Sequence, residues 1–249
     1  MLTSEQFRDW CLQLNLSEQT TILISQIRSS PPSRRVQSRR GNVSGRYPSH
    51  KMGVTIQFES HHHELAGIYE MEYDSEVLEY YDQPPKIELS YESASGRQVG
   101  VRHTPDFFVI RSEQAGWSEW KTAQELTQLA IKMPNRYQQI EPGQWRCPPG
   151  EDYAKARGLY YLVRTETEID WELQRNLYFL EDYFRAKTES PSPLSNKQKI
   201  MGLVATQPGI RLSKLLEWEL NPDEIYSLIA TKQLYVDLSA ADLASEPEK

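Results

Sequence analysis

Thr104-Pro105-Asp106-Phe107-Phe108-Val109-Ile110, followed by Ser118-Glu119-Trp120-Lys121, reads as two strands of one sheet. Side chains two apart along a strand point to the same face, so Glu119 and Lys121 share one, and Asp106 can meet them across the ladder. Two carboxylates a few ångströms apart destabilise one another, and a hard divalent cation with oxygen ligands relieves the conflict. Mg²⁺ is the cofactor this implies, with Mn²⁺ able to substitute. Lys121 beside such a cation can orient and help deprotonate a water, or offset charge on a pentavalent phosphate. A turn-capping Asp106 and a solvated Glu119–Lys121 pair would use the same residues. Pro105 before the aspartate, the hydrophobic strand after it and a helix opening directly after Lys121 favour the chemical reading.

Upstream, Leu65, Ile68 and Tyr69 repeat at helical spacing after Ser60. Of the two acids near the start of that helix, Glu64 is spaced with Ile68 and Met71 on the side facing the sheet, whereas Glu59 aligns with His63 and Glu70. Glu64 is therefore the preferred third acid, against a reading in which it joins Glu70, Glu72, Asp74 and Glu76 on an acidic face. Val77–Tyr81, Ile87–Tyr91, Gln98–His103, Asp106–Arg111 and Trp117–Lys121 predict strands, with Ser95-Gly96 as a hairpin turn. Thr122 and Glu125 form a capping box for a helix carrying Leu126, Leu129 and Met133. Beyond a Pro- and Gly-rich loop around 142–150, Leu159–Val163 predicts a last strand. Trp171, Leu173, Leu177, Leu180 and Phe184 then mark a closing helix. The pattern is that of an α/β domain with a mixed sheet.

The 249 residues carry 28 Lys and Arg against 35 Asp and Glu, a net charge of −7 that by itself argues against a nucleic-acid binder. The average hides an asymmetry: from Gln26 to Lys51 the chain has Arg28, Arg34, Arg35, Arg39, Arg40, Arg46 and Lys51, and no acid. Pro, Ser and Gly forbid a regular element there, so an extended basic arm is expected to follow DNA phosphates without reading sequence. Arg34, Arg35, Arg39, Arg40, Arg46 and Lys51 are its candidate contacts. Two short helices precede it, after Thr3 with Gln6 completing a capping box and after Ser17. At the other end, Ser190-Pro191-Ser192-Pro193 reads as a linker. Helices around Ile200, after Ser213 and from Pro222, then a strand over Gln233–Leu238, outline a winged-helix module. Its candidate recognition helix sets Lys214 against Glu217 and Glu219, a poor surface for phosphates, so partner docking fits it better. With no apolar run near the roughly 20 residues of a membrane span, no signal-peptide pattern and only Cys11 and Cys147, a cytosolic protein with reduced thiols is expected.

The carboxylate and lysine motifs in this order resemble the signature of the restriction-endonuclease-like, or PD-(D/E)xK, nuclease fold. More narrowly, Glu64, the Tyr69–Asp74 helix end, Val77, Asp82-Gln83-Pro84, Thr104-Pro105-Asp106-Phe107 and Glu119-Trp120-Lys121 resemble the N-terminal domain of TnsA. That family comprises the endonuclease subunits of heteromeric transposases of Tn-seven-like elements. Leu203–Leu238, with Pro208-Gly209-Ile210 and Leu234-Tyr235-Val236-Asp237-Leu238, is similar to its C-terminal winged-helix domain. The resemblance implies that Glu64, Asp106 and Glu119 hold the metal and that Lys121 is the catalytic lysine. It implies a nuclease domain over 51–189 and a docking domain over 194–249; the first forty residues are less covered by it, so the helical cap and basic arm expected over 1–50 rest on their helix signals and charge. It also implies an enzyme that cuts the 5′ strand at transposon ends, with the transposase TnsB and the AAA+ regulator TnsC as partners. A stand-alone restriction-like or repair nuclease, and a catalytically silent DNA-binding adaptor, are the alternatives.

His61-His62-His63 invites a zinc reading, but consecutive helical residues point in different directions and no cysteine cluster lies nearby. Cys147 has no basic or Gly-rich context and reads as a buried structural thiol. The pairs Tyr80-Tyr81 and Tyr160-Tyr161 read as strand residues packing a core rather than as stacking platforms for bases.

Overall fold

The computed structural model describes residues 1–35, 43–60, 63–185, 194–218 and 220–244. Arg39 and Arg40 of the basic arm, His61, His62, the linker at 190–193, Glu219 and the tail from Ser245 lie outside the described residues. The chain forms two compact units, 1–169 and 170–249. The first contains α1 (Ser4–Gln13), α2 (Glu18–Ser29), β1 (Gly45–Pro48), β2 (Thr55–Phe58), α3 (Glu64–Tyr73), β3 (Val77–Asp82), β4 (Ile87–Glu92), β5 (Gln98–His103), β6 (Phe107–Arg111), β7 (Ala115–Trp120), α4 (Ala123–Lys132), β8 (Gln138–Glu141), β9 (Gln144–Arg146), α5 (Pro148–Lys155) and β10 (Tyr160–Arg164). Among the described residues no helix is long and apolar enough to cross a membrane.

Six strands make the central mixed sheet, in the order β3-β6-β7-β10-β9-β8. β7 is antiparallel to β6 and parallel to β10, and all six of its residues are buried, as a strand covered on both faces must be. Gly116 makes the parallel pairing possible: a Cβ there would lie 2.1 Å from the backbone oxygen of Tyr160. β4 and β5 form a separate hairpin, as do β1 and β2. The hairpin β8–β9 and helix α5 occupy the stretch expected to be a loop. α5 opens on Pro148 and Pro149, where missing N–H groups cost nothing because first-turn amides have no helical acceptor.

The first two helices belong to the same unit as the sheet. Thr3 and Gln6 close the expected capping box, and the Arg28 guanidinium donates from Nε to Glu79 Oε2 at 2.8 Å and from Nη2 to Glu79 Oε1 at 2.9 Å. Glu79 is 0 % exposed on β3 and also accepts from Leu2 N and the Tyr81 hydroxyl, both at 2.6 Å. Arg28, counted from sequence among the cations of the basic arm, is thus a half-buried clamp on a buried acid.

The second unit holds α6 (Trp171–Phe179), α7 (Glu181–Arg185), α8 (Leu194–Thr206), α9 (Leu212–Leu216) and α10 (Pro222–Ala230). The three helices of the anticipated winged-helix outline are present, but the strand expected over Gln233–Leu238 is not formed. A strand needs a ladder, and the described residues of this unit contain none to join. The buried Asn176 side chain takes that role instead. It donates to Leu238 O and Ala241 O at 2.7 and 2.8 Å and accepts from Leu243 N at 2.7 Å, fixing the segment as a loop.

Arg28→Ala should lower stability by about 3 kcal/mol or more, because it leaves Glu79 buried beside fewer donors. Urea unfolding followed by tryptophan fluorescence measures this, and an unchanged midpoint would contradict the clamp.

Candidate active site

Asp106 ends the turn into β6, and its Oδ2 accepts the Trp120 amide at 2.7 Å, which fastens it to the end of β7. One residue back on β7, Glu119 lies opposite Val163 of β10 and is 1 % exposed. The Lys121 amide bonds Arg164 O at 3.0 Å, so the chain turns from β7 into α4 with its lysine at the sheet edge. Thr122 caps α4 by accepting from the Glu125 amide. Helix α3 lies against Trp120 because residue 67 is glycine: a Cβ there would sit 2.7 Å from the indole. That approach brings Glu64, the first residue of α3, to a buried position beside Asp106.

These four side chains line one cleft of about 520 Å³, together with Arg34, Glu59, His63, Lys86, Arg102 and His103. Burial, and then the charge of Asp106, push Glu64 up to about 8, against the Glu59 amide that donates to its Oε2 at 2.8 Å. Burial pushes Asp106 up to about 6; Lys121 opposes this and Glu119 adds to it. Glu119 goes the other way. Burial would raise it, but the bond from His103, the Lys121 charge and the Tyr161 hydroxyl hold it well below the carboxylate range. For Lys121 burial pulls down, yet Glu119, Asp106 and Glu125 outweigh it and keep the ammonium charged. Of the two roles open to Lys121 from sequence, electrostatic stabilisation fits this state and proton removal does not.

Two of the clustered carboxylates are therefore buried together without full compensation. Their oxygen donors suit a hard cation such as Mg²⁺, which keeps several waters and takes one or two protein carboxylates. Among the described residues no group of three or more His, Cys, Asp or Glu is arranged to hold a metal ion. The described His63 shares its Nδ1 with Ser60 Oγ at 3.0 Å and stacks on Trp120.

The basic candidates separate. Arg34 reaches the cleft, paired with Glu59 at 3.1 Å and bonded to Gln83. Arg35 and Arg46 are exposed away from it. Lys51, expected to contact phosphates, instead donates to Met71 O, Asp74 O and Val77 O at 2.6, 2.6 and 2.7 Å, closing the end of α3. The ammonium satisfies helix-end carbonyls that have no helical donor, so its three N–H groups are spent. Lys86, Arg102, His103 and Tyr137 were not singled out from sequence, and Tyr161 was read there as a residue packing the core. His103 adjoins the Thr104-Pro105-Asp106 motif, which is a signal of sorts; Tyr137 follows α4 in a turn and carries none. Cys147 is buried, its thiol pushed up to about 12 by burial and by Glu119, as suits a packing residue.

A mixed sheet flanked by helices, bringing an aspartate, a Glu-x-Lys pair and a helix-borne glutamate to one cleft, fits a nuclease fold of the TnsA-like kind. Residues 74–166 match the family model described as TnsA-like endonuclease N terminal, so over that segment the chain is similar to that family. The match spans Asp106, Glu119 and Lys121 and begins after Glu64. No curated protein matches the chain.

Because the folded state raises Glu64, the favourable linkage is complete below about 4.5 and is lost as the pH rises through about 8. Glu64→Gln should therefore raise the Tm of the metal-free protein at about pH 8.5 by several degrees and change it little near pH 4.5. Thermal unfolding at the two pH values measures this, and equal differences would refute it.

Proposed function

We propose that this protein is the Mg²⁺-dependent DNA endonuclease subunit of a heteromeric cut-and-paste transposase and cleaves the 5′ strand at transposon ends. The observation that carries the reading is the buried, incompletely compensated pair Glu64–Asp106 beside charged Lys121, within a chain whose segment 74–166 is similar to the TnsA-like family. Glu64 and Asp106 are the residues that would hold the cation. Bound there, Mg²⁺ would supply Lewis-acid activation of the scissile phosphate and of a water.

The chain's own residues do the rest. Trp120 N holds Asp106 in place, and the approach of α3 at Gly67 sets the distance of Glu64 from it. Lys121 donates to a non-bridging phosphate oxygen and offsets the charge that builds there, a contribution worth roughly 10²–10³ in rate when such donors are removed. Lys86 and Arg102, on the β4–β5 side of the cleft, sit where flanking phosphates would pass, with Arg35 and Arg46 contacting the backbone farther out. In the second unit an apolar groove of about 660 Å³ is lined by Leu212, Leu215, Leu234, Tyr235 and Leu243. It supports partner docking as the role of residues 194–249, with TnsC as the proposed occupant and TnsB engaging the nuclease unit.

With the transposase and ATPase supplied, Asp106→Ala and Lys121→Ala should each reduce single-strand cleavage at a transposon end by at least about a hundredfold while the other strand is still cut. Full cleavage by either variant would sink the assignment. Cutting by the unaltered protein alone would indicate a stand-alone nuclease, and assembly without any cutting by it would indicate an adaptor.

Replacing Lys86 and Arg102 by Ser should flatten the dependence of DNA affinity on salt, by up to about 0.9 in the log–log slope for each phosphate no longer neutralised. Fluorescence anisotropy across a salt series measures it, and an unchanged slope would remove these residues from the interface.

A further inference from the structure

The resemblance assigns Glu119 to the metal along with Glu64 and Asp106. Its surroundings say otherwise. An ionised carboxylate has about four lone-pair positions and only accepts. Glu119 Oε1 receives the Tyr137 hydroxyl at 3.0 Å, the Lys121 ammonium at 3.1 Å and the His103 Nε2 at 3.3 Å. Its Oε2 receives the Tyr161 hydroxyl at 2.7 Å. Tyr161 has one proton and gives it to Glu119, so its oxygen must accept from His103 Nε2 at 2.9 Å. His103 Nε2 therefore carries a proton, which it shares between Tyr161 and Glu119. Four donors thus surround a side chain that is 1 % exposed.

Glu64 and Asp106 differ in kind. Each accepts a hydrogen bond from one backbone amide, Glu59 N and Trp120 N respectively, through one of its two oxygens. Glu119, in contrast, meets a lysine whose flexible side chain must be held still if its charge is to act from a fixed point.

We propose that Glu119 is the positioning residue for Lys121, clamped by Tyr137, Tyr161 and His103, and that among the described residues Glu64 and Asp106 are the carboxylates that hold the cation. The inference rests on the metal-dependent reading above and changes what its parts do. Lys121 spends one N–H on Glu119, which leaves the others to be presented to a phosphate from a fixed point. The tyrosines and the histidine act through Glu119 and touch neither substrate nor cation.

The test is calorimetric titration of the full-length protein with MnCl₂, without DNA, alongside cleavage assays. Asp106→Asn should weaken Mn²⁺ binding by about a hundredfold or more, whereas Glu119→Gln should hold it within about threefold of the unaltered protein. Glu119→Gln should nevertheless cut at least about tenfold more slowly, and adding it to Lys121→Ala should cost nothing further, since both remove one function. The paired variant Tyr137→Phe with Tyr161→Phe keeps the carboxylate and provides a second route should Glu119→Gln fold poorly. It should leave Mn²⁺ affinity within about threefold and slow cleavage. A loss of Mn²⁺ binding in Glu119→Gln as large as in Asp106→Asn, or a change of tenfold or more in the tyrosine pair, overturns the positioning role and leaves the nuclease reading standing. An unaltered protein that binds no Mn²⁺ overturns the metal-dependent reading and this inference with it.

Discussion

Taking a carboxylate out of water requires that something replace the water, and this unit repeats the operation several times around one sheet. Glu79 is met by Arg28, Tyr81 and the Leu2 amide. Glu72 accepts from the Tyr80 hydroxyl at 2.5 Å and from Ser49 Oγ. Glu119 is met by two tyrosines, His103 and Lys121. In each case donors surround the acid, and the result ties distant segments to the sheet. Glu64 and Asp106 break the pattern: they too are buried, burial raises the proton affinity of both, the Asp106 charge raises that of Glu64 further, and the hydrogen-bond partner of each is a single backbone amide. The difference between acids the fold has compensated and acids it has not is what separates scaffold from candidate site.

The same principle sorts the cations. A run of basic residues without acids says only that local neutralisation is absent; it cannot say whether a partner arrives from elsewhere in the fold. Arg28 finds Glu79 fifty-one positions away, and Lys51 finds the carbonyls that end α3. Both are consumed in building the unit. Arg35 and Arg46 stay exposed, and the cleft draws its further positive charge from Lys86 and Arg102, which no run of charge announces. The N-terminal helices and the start of the arm are therefore structural parts of the sheet-bearing unit.

What the sequence made legible follows from what local pattern can encode. Period-two alternation put Glu119 and Lys121 on one face, capping residues marked the starts of α1 and α4, and helical spacing preferred Glu64 over Glu59. Each of these is decided within a few residues. The tyrosines around Glu119 are different, because Tyr161 in an apolar strand reads as core and is core; only its hydroxyl, at the end of a buried ring, has a chemical partner. The hairpin β8–β9 and helix α5 were hidden by prolines and glycines whose usual meaning is a loop, although proline is also at home in a first helical turn. The strand after α10 failed for the opposite reason. Its apolar alternation was adequate, but a strand exists only with a partner, and Asn176 fixes the segment by its side chain instead.

Under the proposed metal-dependent reading, protons and cations are alternative answers to one constraint at Glu64 and Asp106. At neutral pH Glu64, pushed up to about 8 by burial and by the Asp106 charge, retains its proton, whereas Asp106, raised to about 6, is largely ionised. A cation bound there would release the Glu64 proton, so its affinity would rise with pH until Glu64 is ionised without help, near its raised value of about 8. Lys121 does not share this behaviour. Glu119, Asp106 and Glu125 hold it charged across the whole range in which the pair exchanges protons. The site therefore divides its labour: one half, Glu64 with Asp106, changes its charge state with pH, while the other, Lys121 beside Glu119, presents the same positive charge throughout. The donors around Glu119 keep that acid ionised, since without them a third buried carboxylate would join the competition for protons.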